Sequence, residues 1–352
     1  MSDSTIRVGL VGVTGYTGME LTRILALHPR MELVRATSRK EAGMRLDAFY
    51  PSLRGFKPGE LIISEPDPAD LAKACDVVFL AIPHGAAMET AGELLAAGCK
   101  VVDLSADFRL RDPAVYTQWY KVEHTRTKEL TEAVYGLPEL YAEAMKKARL
   151  IANPGCYPTA SILALHPALK AGFIKPEGLV IDAKSGATGA GRGASVPTLF
   201  CEVSDSFKAY GLASHRHTPE IEQELGLAAG RPLTLSFNPH LLPINRGILA
   251  TIYAELATDV PLDDIQALYE ETYAPHPFVR VLPKGELPLL RSVRGTMFCD
   301  IALVKDPRTN RLILVSCIDN LCRGASGQAV AGANLMCGLP LETGLQFAPL
   351  VP

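Results

Sequence analysis

Apolar and polar positions follow two different rhythms along this chain. The stretch IRVGLVGVTGYTGMELTRILALHP opens on a short apolar run and passes through Gly12, Gly15 and Gly18. It continues with Met19, Leu21, Ile24 and Leu25 at helical spacing, which predicts a strand, a tight turn and a helix. MELVRAT predicts the next strand, CDVVFLAIP a buried strand, AAMETAGELLAAG a helix stopping at Gly98, and KVVDLS a further strand. Strands alternating with helices imply a parallel, doubly wound sheet. Beyond residue 150 the pattern changes. A short strand runs into Asn153-Pro154-Gly155, and PTASILALHPAL then has helical apolar spacing, with Pro158 tolerated in the first turn. RGILATIYAEL, GTMFCDIALV and RLILVSCIDNL read as strands, the last two joined by the turn-rich KDPRTN as a hairpin, so this sheet is mixed or antiparallel. GASGQAVAGANLMCGL sets Ala329, Ala333, Leu335 and Met336 on one helical stripe.

The expected class is therefore α/β. A Rossmann-type doubly wound nucleotide-binding domain spans residues 1–155, an α+β catalytic domain with a mixed or antiparallel sheet spans 156–320, and a segment 321–352 carries a helix back to the first domain. A length of 352 residues suits two domains, because single cores stop growing near roughly 250 to 300 residues. Composition adds exclusions. With 48% hydrophobic and 21% charged residues, a net charge of −3 and no block of Lys or Arg, nothing recommends nucleic acid or an anionic membrane as partner. A small molecule is the expected partner. MSDSTIRVGLVG lacks a secretory pattern and no run approaches the about 20 apolar residues of a membrane span, so a cytoplasmic protein is expected. The eight cysteines include no C-x-x-C pair and fit thiols in a reducing compartment, with no metal site expected.

Candidate chemistry begins at the first turn. Its glycines let backbone approach a pyrophosphate whose charge the helix start attracts, although the spacing is G-x-x-G-x-x-G. After MELVRAT, where a ribose-reading acid would end the second strand of an NAD binder, Ser38, Arg39 and Lys40 follow instead. Two cations and a hydroxyl suit a 2′-phosphate, favouring NADP; the competing reading is a solvated basic turn. In LSADFRLRDP, Asp107 and Arg109 follow a strand at its carboxyl end, and Arg109 could clamp an anion or form a surface ion pair. AKSGATGAGRGAS, residues 183–195, holds four glycines among small residues and could crowd a phosphate or nicotinamide, or be a mobile loop.

Cys156 in NPGCYPTA sits at or just before a helix start, where dipole and N–H groups favour thiolate and could hold an oxyanion. It is the candidate nucleophile, and the other seven cysteines read as packed side chains. A base is offered by ASHRHTPEI, in which His215 and His217 precede Thr218, read as an N-cap, Pro219 and the first-turn acid Glu220. Their spacing could also suggest metal ligands, but no further Cys or His completes a set.

Taken together, GVTGYTG, SADFRL, YGLPEL, NPGCYPTA, SGATGAGR, HRHTPEI and IDNLCRGASGQAV resemble the N-acetyl-gamma-glutamyl-phosphate reductases, within the wider group that includes aspartate-semialdehyde dehydrogenase. The resemblance implies NADPH-dependent reduction of N-acetyl-gamma-glutamyl phosphate to the 5-semialdehyde in arginine biosynthesis, through a cysteine thioester. It implies Cys156 as nucleophile, His217 as acid/base and His215 as a substrate or orienting contact, with Arg109, Asp107 and Asn153 at the substrate. NADP(H) contacts carry over to Gly12, Thr14, Gly15, Tyr16, Thr17 and Gly18, to Ser38 and Arg39, and to Ser185, Gly186, Gly189 and Asn320. A homodimer or homotetramer is expected. A reductase of aminoadipyl or aspartyl phosphate, and a non-catalytic NADP-binding sensor or scaffold, are the competing readings.

Overall fold

Residues 5–351 are described by the structure, a computed structural model. The chain forms two units. One comprises the residues up to Pro154 together with Ala325–Gln346, the other Gly155–Gly324 together with the segment from Phe347 onward. The division falls inside the segment expected as one piece from residue 321: the strand Arg311–Ile318 ends in a turn, Cys322–Ser326 form a π-helical turn, and the helix Gly327–Met336 follows.

In the first unit, short β-rich runs of Val, Ile and Leu pair side by side. These are β1 (Ile6–Val11), β2 (Met31–Thr37), β3 (Val77–Leu80), β4 (Lys100–Asp103), β5 (Val134–Tyr135) and β6 (Leu150–Ala152). They form one sheet of order β2-β1-β3-β4-β6-β5 in which every pairing is parallel. All four residues of β3 are buried, as a central strand covered on both faces requires. The expected doubly wound sheet is borne out. The helix Gly327–Met336 departs from expectation in one respect: each of its ten residues is buried, so it has no single apolar stripe. Its small residues let neighbouring elements close on every side.

The second unit contains β7 (Val180–Gly186), β8 (Lys208–Ala209), β9 (Ser236–Leu242), β10 (Ile248–Glu255), β11 (Val279–Val281), β12 (Cys299–Asp306) and β13 (Arg311–Ile318). Their order is β11-β12-β13-β10-β7-β9-β8. The sheet is mixed: β7 with β9 and β11 with β12 run parallel, the other neighbours antiparallel. β12 and β13 pair from Cys299↔Ile318 down to Asp306↔Arg311, the hairpin that KDPRTN predicts. The helices Cys156–Lys170 and Thr218–Ala229 pack against one another. Among the described residues no helix is long and apolar enough to cross a membrane.

The glycine turn shows why its residue types are needed. Gly12 has φ +91°, and a Cβ there would lie 2.2 Å from the carbonyl oxygen of Ala81. Gly18 meets the Gly12 oxygen as closely, which brings the helix Tyr16–Leu25 down onto the turn. Gly12→Ala therefore combines left-handed backbone strain with overpacking and should lower stability by about 3 kcal/mol. The midpoint of urea unfolding followed by circular dichroism checks this.

Candidate active site

The thiol sits where a strand-to-helix turn presents it. Gly155 is the N-cap residue of the helix Cys156–Lys170, with φ −67° and ψ 156°, and Cys156 is the first helical residue. Helix geometry directs first-turn N–H groups out of the helix start, and Pro158 contributes none, so those of Cys156 and Tyr157 serve this end. The backbone around the thiol is closely approached from two sides. A Cβ on Gly155 would lie 2.5 Å from Nε2 of His217, and one on Gly324 would lie 2.6 Å from Cβ of Cys156. Only glycine lets the His217 ring lie flush against the residue before the thiol.

Glu220 fixes this arrangement. It is 1% exposed, and its Oε1 accepts the Gly155 N–H at 2.8 Å. The helix Thr218–Ala229 has His217 in its N-cap position, Thr218 at its first residue and Glu220 in the first turn. Thr218 was expected as the N-cap. The helix starts one residue earlier, and the Glu220 carboxylate faces the Cys156 turn.

The two histidines have different surroundings. His215 Nδ1 accepts the His217 backbone N–H at 3.1 Å, so this nitrogen carries no proton. Its ring lies edge-on to Tyr157, Tyr210 and Phe237 at 5.6, 5.6 and 5.2 Å, and 4.9 Å from the His217 ring. Burial, with the Arg216 charge behind it, pushes His215 down to about 4. The ring is neutral at physiological pH. Tyr157 and Tyr210 share a hydroxyl–hydroxyl bond of 2.8 Å, and burial raises both, Tyr210 to about 12.

Ser185, Gly186, Gly189 and Asn320 also meet within the second unit. Asn320 Oδ1 accepts the Gly247 N–H at 2.7 Å and its Nδ2 donates to Thr188 Oγ1 at 3.0 Å. Gly189 faces Ser185 Oγ and Asn320 Nδ2, at 3.3 and 3.7 Å from its ideal Cβ position. The stretch 183–195 is only partly a loop: Ala183–Gly186 end β7, and Ala187–Ala190 form a 3₁₀ turn. Asp319 braces this corner. Fully buried, it pairs with Arg246 through both oxygens at 2.8 and 2.9 Å and accepts the N–H groups of Gly295, Leu321 and Cys322. Sequence reasoning missed Asp319 and Arg246. The neighbouring Asn320 was a signal for the first, and nothing marked the second.

The first unit holds the remaining candidates. Gly15 caps the helix Tyr16–Leu25, and among the described residues a Cβ there would meet just the Gly12 oxygen, at 3.8 Å, which leaves this helix start open enough for a pyrophosphate. Thr14 Oγ1 lies 3.2 Å from Ser38 Oγ, while Arg39 and Lys40 are exposed. An acid does stand at this point, contrary to expectation. Glu41 turns back so that Oε2 accepts from the Ser38 hydroxyl and from Thr14 Oγ1, the latter at 3.3 Å. It lies just beyond the basic pair, where an acid ending the strand was not sought.

Asp107 and Arg109 are both buried in the first unit. Asp107 is fully buried, its carboxylate accepting from the N–H groups of Gly85 and Ala87 and from the Tyr116 hydroxyl at 2.7 to 3.0 Å. Expected at the substrate, this carboxylate ties two loops at the carboxyl ends of β3 and β4. Arg109 is 6% exposed, and its guanidinium donates to the carbonyls of Asn153 at 2.7 Å and Leu104 at 2.9 Å. Asn153 donates through Nδ2 to the Ala325 carbonyl at 3.2 Å.

Residues 7–148 match the family described as semialdehyde dehydrogenase, NAD binding domain, and residues 156–320 match semialdehyde dehydrogenase, dimerisation domain. The chain is 53% identical to N-acetyl-gamma-glutamyl-phosphate reductase from Desulfotalea psychrophila over 99% of its own length and 100% of that protein's. The same coverage holds for the enzyme of that name from Ectopseudomonas mendocina, at 55% identity. The chain belongs to the N-acetyl-gamma-glutamyl-phosphate reductase family. This family's fold extends to proteins with little sequence in common. Aspartate semialdehyde dehydrogenase II of Vibrio cholerae superposes with TM-score 0.71 at 16% identity, covering 95% of this chain and 99% of that one. The Candida albicans aspartate semialdehyde dehydrogenase, solved with NADP, gives 0.70 at 16% with the same coverage.

Two outcomes follow from this geometry. Gly155→Ala would drive a methyl group into the His217 ring and should reduce the turnover of this family member at least about 100-fold, with dinucleotide affinity kept, as steady-state kinetics and fluorescence titration would read. Burial also lowers His166 to about 4. With both His166 and His215 held below the usual 6.5, the unfolded chain binds more protons than the folded one between pH 6.5 and 4. Stability is therefore full above 6.5 and is lost as pH falls through that window. His166→Gln should shrink the difference between urea midpoints measured at pH 7 and pH 5.

Proposed function

We propose that this protein reduces N-acetyl-gamma-glutamyl phosphate with NADPH, reversibly, to N-acetyl-L-glutamate 5-semialdehyde and phosphate, the third step of arginine biosynthesis. The observation that carries the reading is Cys156 opening a helix with the His217 ring flush against the preceding Gly155. Relatives at 53% and 55% identity over their whole length bear the name of that activity, which supports the choice of substrate.

In this reading the Cys156 sulfur attacks the gamma-acyl carbon, favoured as a thiolate by the helix start. The N–H groups of the first turn hold the developing oxyanion, the carbonyl re-forms, and the C–O bond to phosphate breaks to leave a thioester. Reduced nicotinamide, when bound, would supply the hydride to the thioester carbon, and protonated His217 gives its proton to the oxygen, leaving a thiohemiacetal on Cys156. His217 takes the proton of the thiohemiacetal hydroxyl as the carbon–sulfur bond breaks and returns a proton to the sulfur. His215, neutral and accepting the His217 N–H, orients that ring. The Gly12–Gly18 turn would hold the pyrophosphate of the dinucleotide, and Ser38 and Arg39 would meet its 2′-phosphate. Ser185, Gly186, Gly189 and Asn320 would serve the nicotinamide end. Arg109 holds the Asn153 carbonyl three residues before the thiol and keeps that turn in place.

Assembly as a homodimer or homotetramer in the cytoplasm belongs to the same proposal. It is supported by the match to a dimerisation domain and by the exposed Val196, Leu199, Phe200 and Phe207 of that unit.

Cys156→Ser should lose more than about 1,000-fold in turnover and keep NADPH binding. Comparable activity in the variant would remove the covalent mechanism. Phosphate-dependent NADP reduction measured with the acetylglutamate, aminoadipate and aspartate semialdehydes in turn identifies the substrate, and activity confined to either of the last two would overturn the assignment.

A further inference from the structure

The hydroxyl of Ser38, offered to a 2′-phosphate in the reading above, is already engaged. It donates to Glu41 Oε2, and the same oxygen takes a second hydrogen bond from Thr14 Oγ1 at 3.3 Å. A hydroxyl carries one proton. While Ser38 gives that proton to Glu41, it presents only lone pairs to an incoming phosphate. A ribose 2′-hydroxyl meets the opposite situation, since it can donate to the carboxylate, the contact by which acids at this strand end read the unphosphorylated ribose.

Glu41 is not free to drift away. Its segment is stitched to a neighbouring stretch by the N–H of Ser38 on Ser64 O at 2.9 Å, of Gly43 on Ile63 O at 2.8 Å and of Ile63 on Met44 O at 2.8 Å. The carboxylate is therefore held beside Ser38, with the exposed cations Arg39 and Lys40 immediately before it in the chain. Two opposed preferences share one strand end: Arg39 and Lys40 attract a dianion, and Glu41 repels it and withholds the hydroxyl proton.

We propose that Glu41 is a specificity-determining residue that tempers the preference for NADP(H) over NAD(H) by competing with the 2′-phosphate for the Ser38 hydroxyl. This rests on the reading of the glycine turn and of Ser38 and Arg39 as the dinucleotide site. Binding of a 2′-phosphorylated nucleotide requires the Ser38 proton to turn from Glu41 to the phosphate, and the wild-type carboxylate opposes that change.

The test measures dissociation constants of NADPH and NADH by fluorescence titration on the full-length wild type, Glu41→Gln, Glu41→Ala and Arg39→Ala, at fixed ionic strength. Glu41→Gln keeps the shape, removes the charge and adds an N–H donor. The ratio of NADH to NADPH dissociation constants should rise about ten-fold or more in Glu41→Gln, and rise also in Glu41→Ala. A merely structural role would weaken both nucleotides together and leave the ratio where it was. An unchanged or lowered ratio in both Glu41 variants, with NADPH still bound and its affinity reduced by Arg39→Ala, overturns the proposal while leaving the cofactor reading intact. Failure of the wild type to bind either nucleotide overturns that reading and the proposal with it.

Discussion

An imidazole lying flush against a glycine is the contact around which the thiol and histidines of the second unit are arranged. Any side chain at residue 155 would collide with His217, so the distance between that ring and the backbone leading into Cys156 is set by the absence of a Cβ. The Glu220 carboxylate then fixes the same backbone from the other helix by accepting the Gly155 N–H. Two helix starts are thereby joined at one peptide, one carrying the thiol and the other following the histidines. A buried carboxylate bound to a backbone N–H is a strong, directional anchor because its alternative is an unsatisfied charge in a medium of low polarity. His215 completes the support by holding the His217 backbone through a neutral nitrogen that burial keeps unprotonated.

The same device recurs away from the thiol. Asp319 takes hydrogen bonds from three backbone N–H groups and from Nε and Nη2 of the Arg246 guanidinium, so the turn that bears Asn320 is held by an ion pair whose carboxylate is fully buried. In the first unit Asp107 performs the equivalent task for the loops that end β3 and β4, and Asp103 below it is pushed up to about 7 by burial and by the neighbouring Asp107 charge. Breaking one partner of such an arrangement leaves a buried charge without compensation, which costs about 3 to 5 kcal/mol, whereas the intact set contributes chiefly definition of shape. Asp107 and Arg109, which look like ligand contacts in the sequence, hydrogen-bond the backbone of the loops around them.

Much of this was readable from the order of residues. The parallel sheet, the glycine turn, the β12–β13 hairpin and the helix after NPG follow from periodicity and turn chemistry. These are local properties: apolar spacing of 2 or 3.6 residues, a proline without an N–H, a glycine with positive φ. Cys156 could be singled out for the same reason, since a helix start is a short-range feature. The short edge strands β5 and β8 and the 3₁₀ turn after β7 had no comparable signal, because two-residue pairings are dictated by the neighbour and not by the segment itself.

Sequence alone determined which chemistry the chain carries: a thiol at a helix start, two histidines before another, glycines where a strand meets a helix, cations after the second strand. Only the tertiary structure decided how each polar side chain is used. Asp107 turned inward, Arg109 bound carbonyls, Asp319 found Arg246 across 73 residues of chain, and Glu41 returned to Ser38 and Thr14. The reason is that a hydrogen bond or ion pair depends on separation in space and on burial. Neither is encoded in the spacing of residues along the chain, whereas backbone preference is.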